Sequence, residues 1–198
     1  MTIVGVAESV DISAPREAVF AIVTHRERRL QLSPMWGTVM VCDASPEYPQ
    51  VGSCFHTCPT GEGMQPHDAS VTACEPGRKF AYMLCDSLAQ DVTWTLHEVR
   101  GGTRLRYEEA FEVDDQGGED FIRKVREAIV KWLTNIKRYA ELHTTRTRRL
   151  ARWAVDRYYL NLRPDQRNVI ATIVAMHVIS GIAGIMAVIA FGFTRLFM

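Results

Sequence analysis

Neither sign of charge dominates this chain: 23 basic residues stand against 23 acidic ones over 198 positions. That balance removes the global positive field that would attract nucleic acid, and no nucleic-acid partner is expected. The sequence also lacks an internal repeat, a low-complexity tract, a Gly-rich phosphate loop, a nucleotide fingerprint and a Ser–His–Asp order. The opening residues, MTIVGVAESVD, carry neither a basic n-region nor a long apolar core, so no secretory signal is expected. Cysteine is scarce and odd in number: Cys42, Cys54, Cys58, Cys74 and Cys85. In a domain expected on the reducing side of a membrane, that count argues for free thiols over a disulfide framework.

The most telling absence is local. From Val169 to Phe193 there is no charged residue (VIATIVAMHVISGIAGIMAVIAFGF). At a rise of about 1.5 Å per residue such a helix would cover the ~30 Å hydrocarbon core with room for tilt. The residues before it are the opposite: Arg146, Arg148, Arg149, Arg152, Arg157, Arg163 and Arg167 stand against only Asp156 and Asp165. Arginines on one side, with Arg195 alone on the other, would hold the N-terminal domain in the cytoplasm by the positive-inside rule. The chain thus reads as tail-anchored in the cell membrane by a single pass. The interval 144–166 is a basic juxtamembrane segment whose Trp153, Tyr158 and Tyr159 suit a bilayer interface. Within the span of 167–198, Ser180-x-x-x-Gly184 and Gly181 form small-residue faces for close helix packing, and His177 is an ionisable residue in apolar surroundings. His177, Ser180, Gly181 and Gly184 are therefore the expected contacts to other transmembrane helices or a membrane complex.

What fills the first 143 residues is α+β. Ile3–Ser13 alternates as a strand; Ser13 is placed to cap a helix that Pro15 opens and that runs through Ala18, Val19, Ile22 and Val23. A short Arg- and Leu-rich helix over His25–Leu32 ends at Pro34. Six strands follow, near Thr38–Ala44, Gly52–Cys58, Ala69–Cys74, Lys79–Cys85, Asp91–Val99 and Thr103–Val113, with turn residues between them and a hairpin at Gly101-Gly102. Short connections imply an antiparallel meander. From Asp120 to His143 one apolar stripe (Phe121, Val125, Ala128, Ile129, Trp132, Leu133, Ile136, Ala140) recurs at helical period and needs the sheet to cover it.

This order resembles the helix-grip fold of the SRPBCC superfamily (START, Bet v 1 and polyketide-cyclase-like proteins): an antiparallel sheet wrapped around a long C-terminal helix, with two short helices after strand 1. Val10–Phe20 (VDISAPREAVF) resembles its opening, Trp94-Thr95-Leu96 with Gly102–Tyr107 (GTRLRY) its last hairpin, and Phe121–Leu142 its final helix. The resemblance covers roughly residues 3–143. It implies a cavity between sheet and helix used for lipids, quinones, pigments or polyketide-like molecules, in carriers, cyclases and non-catalytic accessory proteins alike.

Strand parity then selects the walls. Phe55, Tyr82, Trp94, Tyr107 and Phe111 share the face that would meet Phe121, Val125, Ile129 and Trp132, a pocket of aromatics with few polar groups or else a solid core. Among His97, Glu98, Glu108, Glu109 and Glu112, only Glu109 shares the parity of Tyr107 and Phe111, so it points inward or sits at the rim. No acid–base pair emerges, and no cofactor is implied. Cys54, His56 and Cys58 share a strand face, but their ~7 Å spacing suits tetrahedral zinc poorly, so no metal is assigned. Two roles follow: binding or handing over an apolar ligand at the membrane face, or serving as an accessory subunit docked through the transmembrane helix.

Overall fold

The computed structural model describes residues 2–34, 39–59, 66–85, 89–113, 118–142, 146–160, 162, 166, 169–170, 172–174, 176–177 and 179–181. The chain divides into two compact units, 1–161 and 162–198. In the first, β1 (Thr2–Ile12) leads into α1 (Arg16–Thr24) and α2 (Arg26–Gln31). Then come β2 (Val39–Ala44), β3 (Cys54–Pro59), β4 (His67–Glu75), β5 (Lys79–Leu84), β6 (Ala89–Val99) and β7 (Gly102–Val113). The long helix α3 (Gly118–Glu141) follows, then α4 (Arg146–Ala154) and a π-helical turn, Val155–Tyr159. Alternation had located every strand to within about two residues.

The seven strands form one sheet in the order β1-β7-β6-β5-β4-β3-β2, with every pairing antiparallel. Only β1 leaves sequence order, crossing to pair with β7 from Thr2↔Val113 to Ile12↔Thr103. The β6–β7 hairpin turns at Gly101, whose φ of 88° lies in the region that side chains resist. Gly102 is required for a different reason: a Cβ there would stand 2.0 Å from the Ile12 carbonyl oxygen, so β1 can lie this close only against a glycine.

α3 lies over β1 and β7 and buries Ile129, Leu133, Ile136, Tyr139 and Ala140. These repeat every three or four positions, which places them on one face. Its other face is solvated, with Lys124 paired to Asp120 at 2.8 Å and Arg126 to Glu8 of β1 at 3.1 Å. Such exposed pairs add little stability.

Two expectations are corrected. Ser13 does not cap α1: Pro15 is the N-cap residue without a side-chain bond, because Ser13 extends the end of β1 and its N–H donates to Glu141 Oε1 of α3 at 3.0 Å. Helix α2 carries the side-chain cap instead, His25 accepting from the Arg28 N–H at 3.3 Å. Nor are all the cysteines free. Cys58 is disulfide-bonded, while Cys54, Cys74 and Cys85 are thiols; an odd count excludes complete pairing but leaves room for one bond.

In the second unit, the described residues between Val169 and Gly181 are helical and expose Val169, Val174, Met176 and Ile179. Among the described residues no helix is long and apolar enough to cross a membrane. Much of the expected span Val169–Phe193, Gly184 included, lies outside the described residues.

Candidate functional site

The sheet turns one set of alternating side chains toward the helices. From β3 comes Phe55, from β5 Phe80 and Tyr82, from β6 Val92 and Trp94, from β7 Leu105, Tyr107 and Phe111, and all are buried. Register joins them across strands: Phe80 lies opposite Trp94, Tyr82 opposite Val92, and Trp94 opposite Tyr107. The result is two aromatic clusters.

Near the β6–β7 centre, Trp94 meets Tyr107 with ring centroids 4.5 Å apart and Trp132 of α3 at 5.0 Å, edge to face in both cases. Tyr107 and Trp132 complete the triangle at 5.6 Å. Closer to the start of α3, Phe111 packs edge-on against Phe121 at 5.7 Å. The geometry is that favoured by aromatic quadrupoles. Thus Trp94, Tyr107, Phe111, Phe121, Ile129 and Trp132 do come together between sheet and helix, with Val125 half-buried beside them.

Phe55 and Tyr82 belong to a second cluster, with Tyr48 and Phe80, and its central contact is with α2. Tyr48 lies 5.6 Å from Phe55 and 6.1 Å from Phe80, and Phe55 lies 5.2 Å from Tyr82. At its centre is a residue that the sequence did not single out. Arg29 is 1% exposed, and its guanidinium carbon lies 4.7 Å from the Tyr82 ring centroid, 5.3 Å from Phe80 and 5.4 Å from Phe55. Burial alone would lower its pKa, but the phenol oxygens of Tyr48 and Tyr82 outweigh that and raise it. The group is a permanent cation.

Two tethers fix α2 in place. Trp132 Nε1 donates to the Arg29 carbonyl at 2.9 Å and Asn135 Nδ2 to the Leu32 carbonyl at 3.0 Å, so α3 side chains satisfy carbonyls that the end of a short helix leaves open. Arg29 itself spends one N–H on the Val23 carbonyl, Nη1 to O at 3.1 Å. Its Nε has no hydrogen-bond partner. The Tyr48 hydroxyl approaches the Arg29 guanidinium closely enough to act on it both as a charge and as a hydrogen-bond partner, yet completes no bond of good geometry. Trp94 Nε1 lies near the Tyr82 hydroxyl yet completes no bond. Three buried polar groups with nothing to bond are costly, of order 1–3 kcal/mol each.

Glu109 takes the inward of the two placements its parity left open and is half-buried, not a freely solvated rim group. It sits between Val6 of β1 and Val92 of β6, both 1% exposed. The Tyr107 hydroxyl donates to its Oε2 at 2.7 Å. Burial raises the carboxyl pKa to about 7, partly offset by that hydrogen bond. Burial also pushes Tyr82 up to about 12 and Tyr107 well above its usual value, the latter helped by the Glu109 charge. The other hairpin candidates are not assembled with it. His97 and Glu98 are exposed, Glu108 is paired with Arg106 at 2.7 Å, and the Glu112 side chain lies outside those described.

On the opposite side of the sheet His56 bonds Asp68 through Nδ1 at 2.6 Å, both exposed. Among the described residues no group of three or more His, Cys, Asp or Glu could hold a metal ion. In the second unit His177 spends Nδ1 on the Ile173 carbonyl at 2.8 Å, one turn back in its own helix. Ser180 and Gly181 are exposed, and Gly184 lies outside the described residues.

A third cluster joins α2, α3 and the π-helical turn. The Tyr139 hydroxyl donates to Asp156 Oδ1 at 2.6 Å and accepts from Arg28 Nη1. Arg28 also approaches Asp156 at 3.3 Å and Arg152 approaches it at 3.6 Å. The Arg152 guanidinium lies over the Tyr139 ring at 4.4 Å, and burial raises the phenol pKa to about 12.

A family model described as "Activator of Hsp90 ATPase homolog 1-like protein" matches residues 13–141. The chain is similar in structure to the Aha1 dimer from Colwellia psychrerythraea, at 17% identity, covering 72% of this chain and 99% of that one with a TM-score of 0.52. It is similar to a polyketide-cyclase-like protein from Corynebacterium glutamicum, at 22% identity over 72% and 94% of the two chains, TM-score 0.51. It also resembles the di-domain ARO/CYC protein of the steffimycin biosynthetic pathway, at 14% identity over 71% of this chain and 51% of that one, TM-score 0.57. Identities this low establish a shared fold and nothing finer. No curated protein matches.

Proposed function

The chain belongs to the Activator of Hsp90 ATPase homolog 1-like family, and on that footing we propose that its domain binds an apolar small molecule between the sheet and α3 and holds or hands it over at a membrane face. One observation carries the reading. The aromatic interior retains buried hydrogen-bond groups, Trp94 Nε1 and the Tyr48 hydroxyl, that the protein itself does not satisfy. Interiors normally satisfy such groups, and a bound molecule with a few acceptors would do so. In this reading Phe55, Tyr82, Trp94 and Tyr107 form the sheet wall, Phe121, Val125, Ile129 and Trp132 the helix wall, and Glu109 the polar end.

The membrane half of the proposal rests on two other features. Helix α4 and the π-helical turn expose Leu150, Trp153, Tyr158 and Tyr159 beside Arg149 and Arg157, the mixture that settles at an anionic bilayer surface. Beyond them the uncharged stretch 169–193 would anchor the chain by a single pass, with the arginines retaining the domain in the cytoplasm. The Cys58 disulfide pulls the other way, since such bonds persist in oxidising compartments.

A second reading has its own support. A Cβ added at Gly181 would meet nothing within 4 Å, and apolar residues around it are exposed, so this helix offers a face for another helix. An accessory subunit docked on a larger membrane complex through His177, Ser180, Gly181 and Gly184 would use it. Purification of the full-length protein from its native membrane in mild detergent separates the two. A stoichiometric extractable apolar molecule, lost on Trp94→Ala substitution, is expected. Co-migration with a multi-subunit assembly and no extractable molecule would replace the first reading with the second.

A further inference from the structure

The buried arginine says more about the ligand than the aromatic walls do. A guanidinium removed from water loses several kcal/mol of hydration, which a protein normally recovers with a carboxylate. Among the described residues Arg29 forms no ion pair. It has three aromatic faces, one backbone carbonyl, the nearby Tyr48 phenol oxygen and an unused Nε–H instead. Cation–π contacts with three rings recover part of that hydration, but none of them supplies a counter-charge. The one acid on the same wall does not cancel it. Glu109 is joined to Tyr107, and both Tyr82 and Tyr107 lie within electrostatic reach of Arg29 and of Glu109. Burial leaves that carboxyl about half uncharged at neutral pH and largely uncharged below it. Lining and charge are therefore mismatched: an aromatic interior holds a guanidinium with no ion-pair partner among the described residues and with one free donor.

We infer that Arg29 is an anion receptor inside the aromatic interior, and that the molecule bound there is an apolar acid: a flat or extended hydrocarbon body bearing one carboxylate, which faces Arg29 Nε while Phe55, Phe80 and Tyr82 flank it. This rests on the apolar-ligand reading and narrows it to a charge class. Neutral lipids, quinones and hydrocarbons would leave the guanidinium as it is. A carboxylate supplies the acceptor and the charge together, and a charge-assisted bond of this kind is about twice as strong as a neutral one.

The test uses two probes of one shape, 2-naphthoate and 2-naphthalenemethanol, titrated calorimetrically into the full-length protein at neutral pH. Naphthoate is expected to bind about tenfold tighter or more, and the ratio should fall to about one in R29M, an uncharged side chain of similar length. Equal affinities in the wild-type protein would overturn the inference while leaving apolar binding intact. Binding of neither probe would remove the apolar-ligand reading and the inference with it. Retention of the preference in folded R29M would place the anion elsewhere and overturn the assignment. Should R29M fail to fold, the Nε–H resonance of Arg29 in the wild-type protein decides: it should move with naphthoate and not with the alcohol, and an unmoved resonance refutes the contact.

Discussion

Replacing Glu109 by Gln should make the protein's stability less dependent on pH, and the size of the effect follows from where the carboxyl sits. Its pKa is about 7 in the folded protein against an ordinary 4.5, because Val6 and Val92 flank it and desolvate the charged form. The folded state therefore binds more protons than the unfolded state between those values. Stability contributed by the protonated group is full below the unfolded pKa and is lost as pH rises through the folded one. At about 1.4 kcal/mol per pH unit, the interval from 4.5 to 7 corresponds to about 3 kcal/mol. Glutamine cannot ionise, so the stability difference between wild type and E109Q should shift by that amount between pH 4.5 and pH 8, in favour of E109Q at high pH. For a domain of this size that is a relative change in Tm of roughly 6–12 °C. Denaturant unfolding followed by tryptophan fluorescence at a series of pH values reads it, since Trp94 is fully buried. The infrared C=O stretch of the protonated carboxyl, absent from E109Q, gives the midpoint directly. A wild-type and E109Q difference that stays flat across this range, or a carboxyl midpoint near 4.5, would show Glu109 to be solvated and refute the argument.

Other expected outcomes are simpler. Trp94→Ala removes a side chain in contact with Tyr107 and Trp132 and should cost about 3–5 kcal/mol by urea denaturation. Gly102→Ala forces a Cβ onto the Ile12 carbonyl and should separate β1 from β7, with loss of amide protection along β1 in hydrogen exchange. Tyr139→Phe keeps the ring beneath Arg152 but removes the hydroxyl between Arg28 and Asp156. Trypsin should then cut faster within residues 146–159, while the sheet stays intact by circular dichroism. Arg148→Ser with Arg149→Ser should weaken attachment of this segment to anionic vesicles by about 1 kcal/mol for each arginine, and 0.5 M salt should abolish the difference.

The sheet was legible in the sequence because each strand is bounded by turn residues and alternates cleanly. Tyr107, Glu109 and Phe111 could be placed on one face from parity alone, and α3 from its stripe. What parity cannot show is the depth of a charged residue. Glu109 looked like a rim group because it lies toward the end of its strand, whereas its burial comes from Val6, 103 positions away, and from Val92. Arg29 was hidden for a similar reason. In RERRLQ any arginine reads as solvated, and the rings that bury this one come from β3 and β5. Tyr139 continues the α3 stripe but was passed over, its hydroxyl finding partners on two other elements. The Ser13 cap failed because local propensity was outweighed by the crossing of β1 to α3.

Arg28 and Arg29 are neighbours on a helix of only six residues, yet their side chains reach different surroundings. One reaches Tyr139 and Asp156 beneath the basic segment, and the other enters the aromatic interior. So short an arm has little freedom to turn one end without the other. Whatever pulls Asp156 away from Arg28 also loads the peptide unit that carries Arg29. By thermodynamic reciprocity, an occupant that seats Arg29 more firmly must change the ease with which the arginine-rich segment lifts off, by the same free energy. Two adjacent side chains thus make the inside of the domain and its arginine-rich end readable from each other.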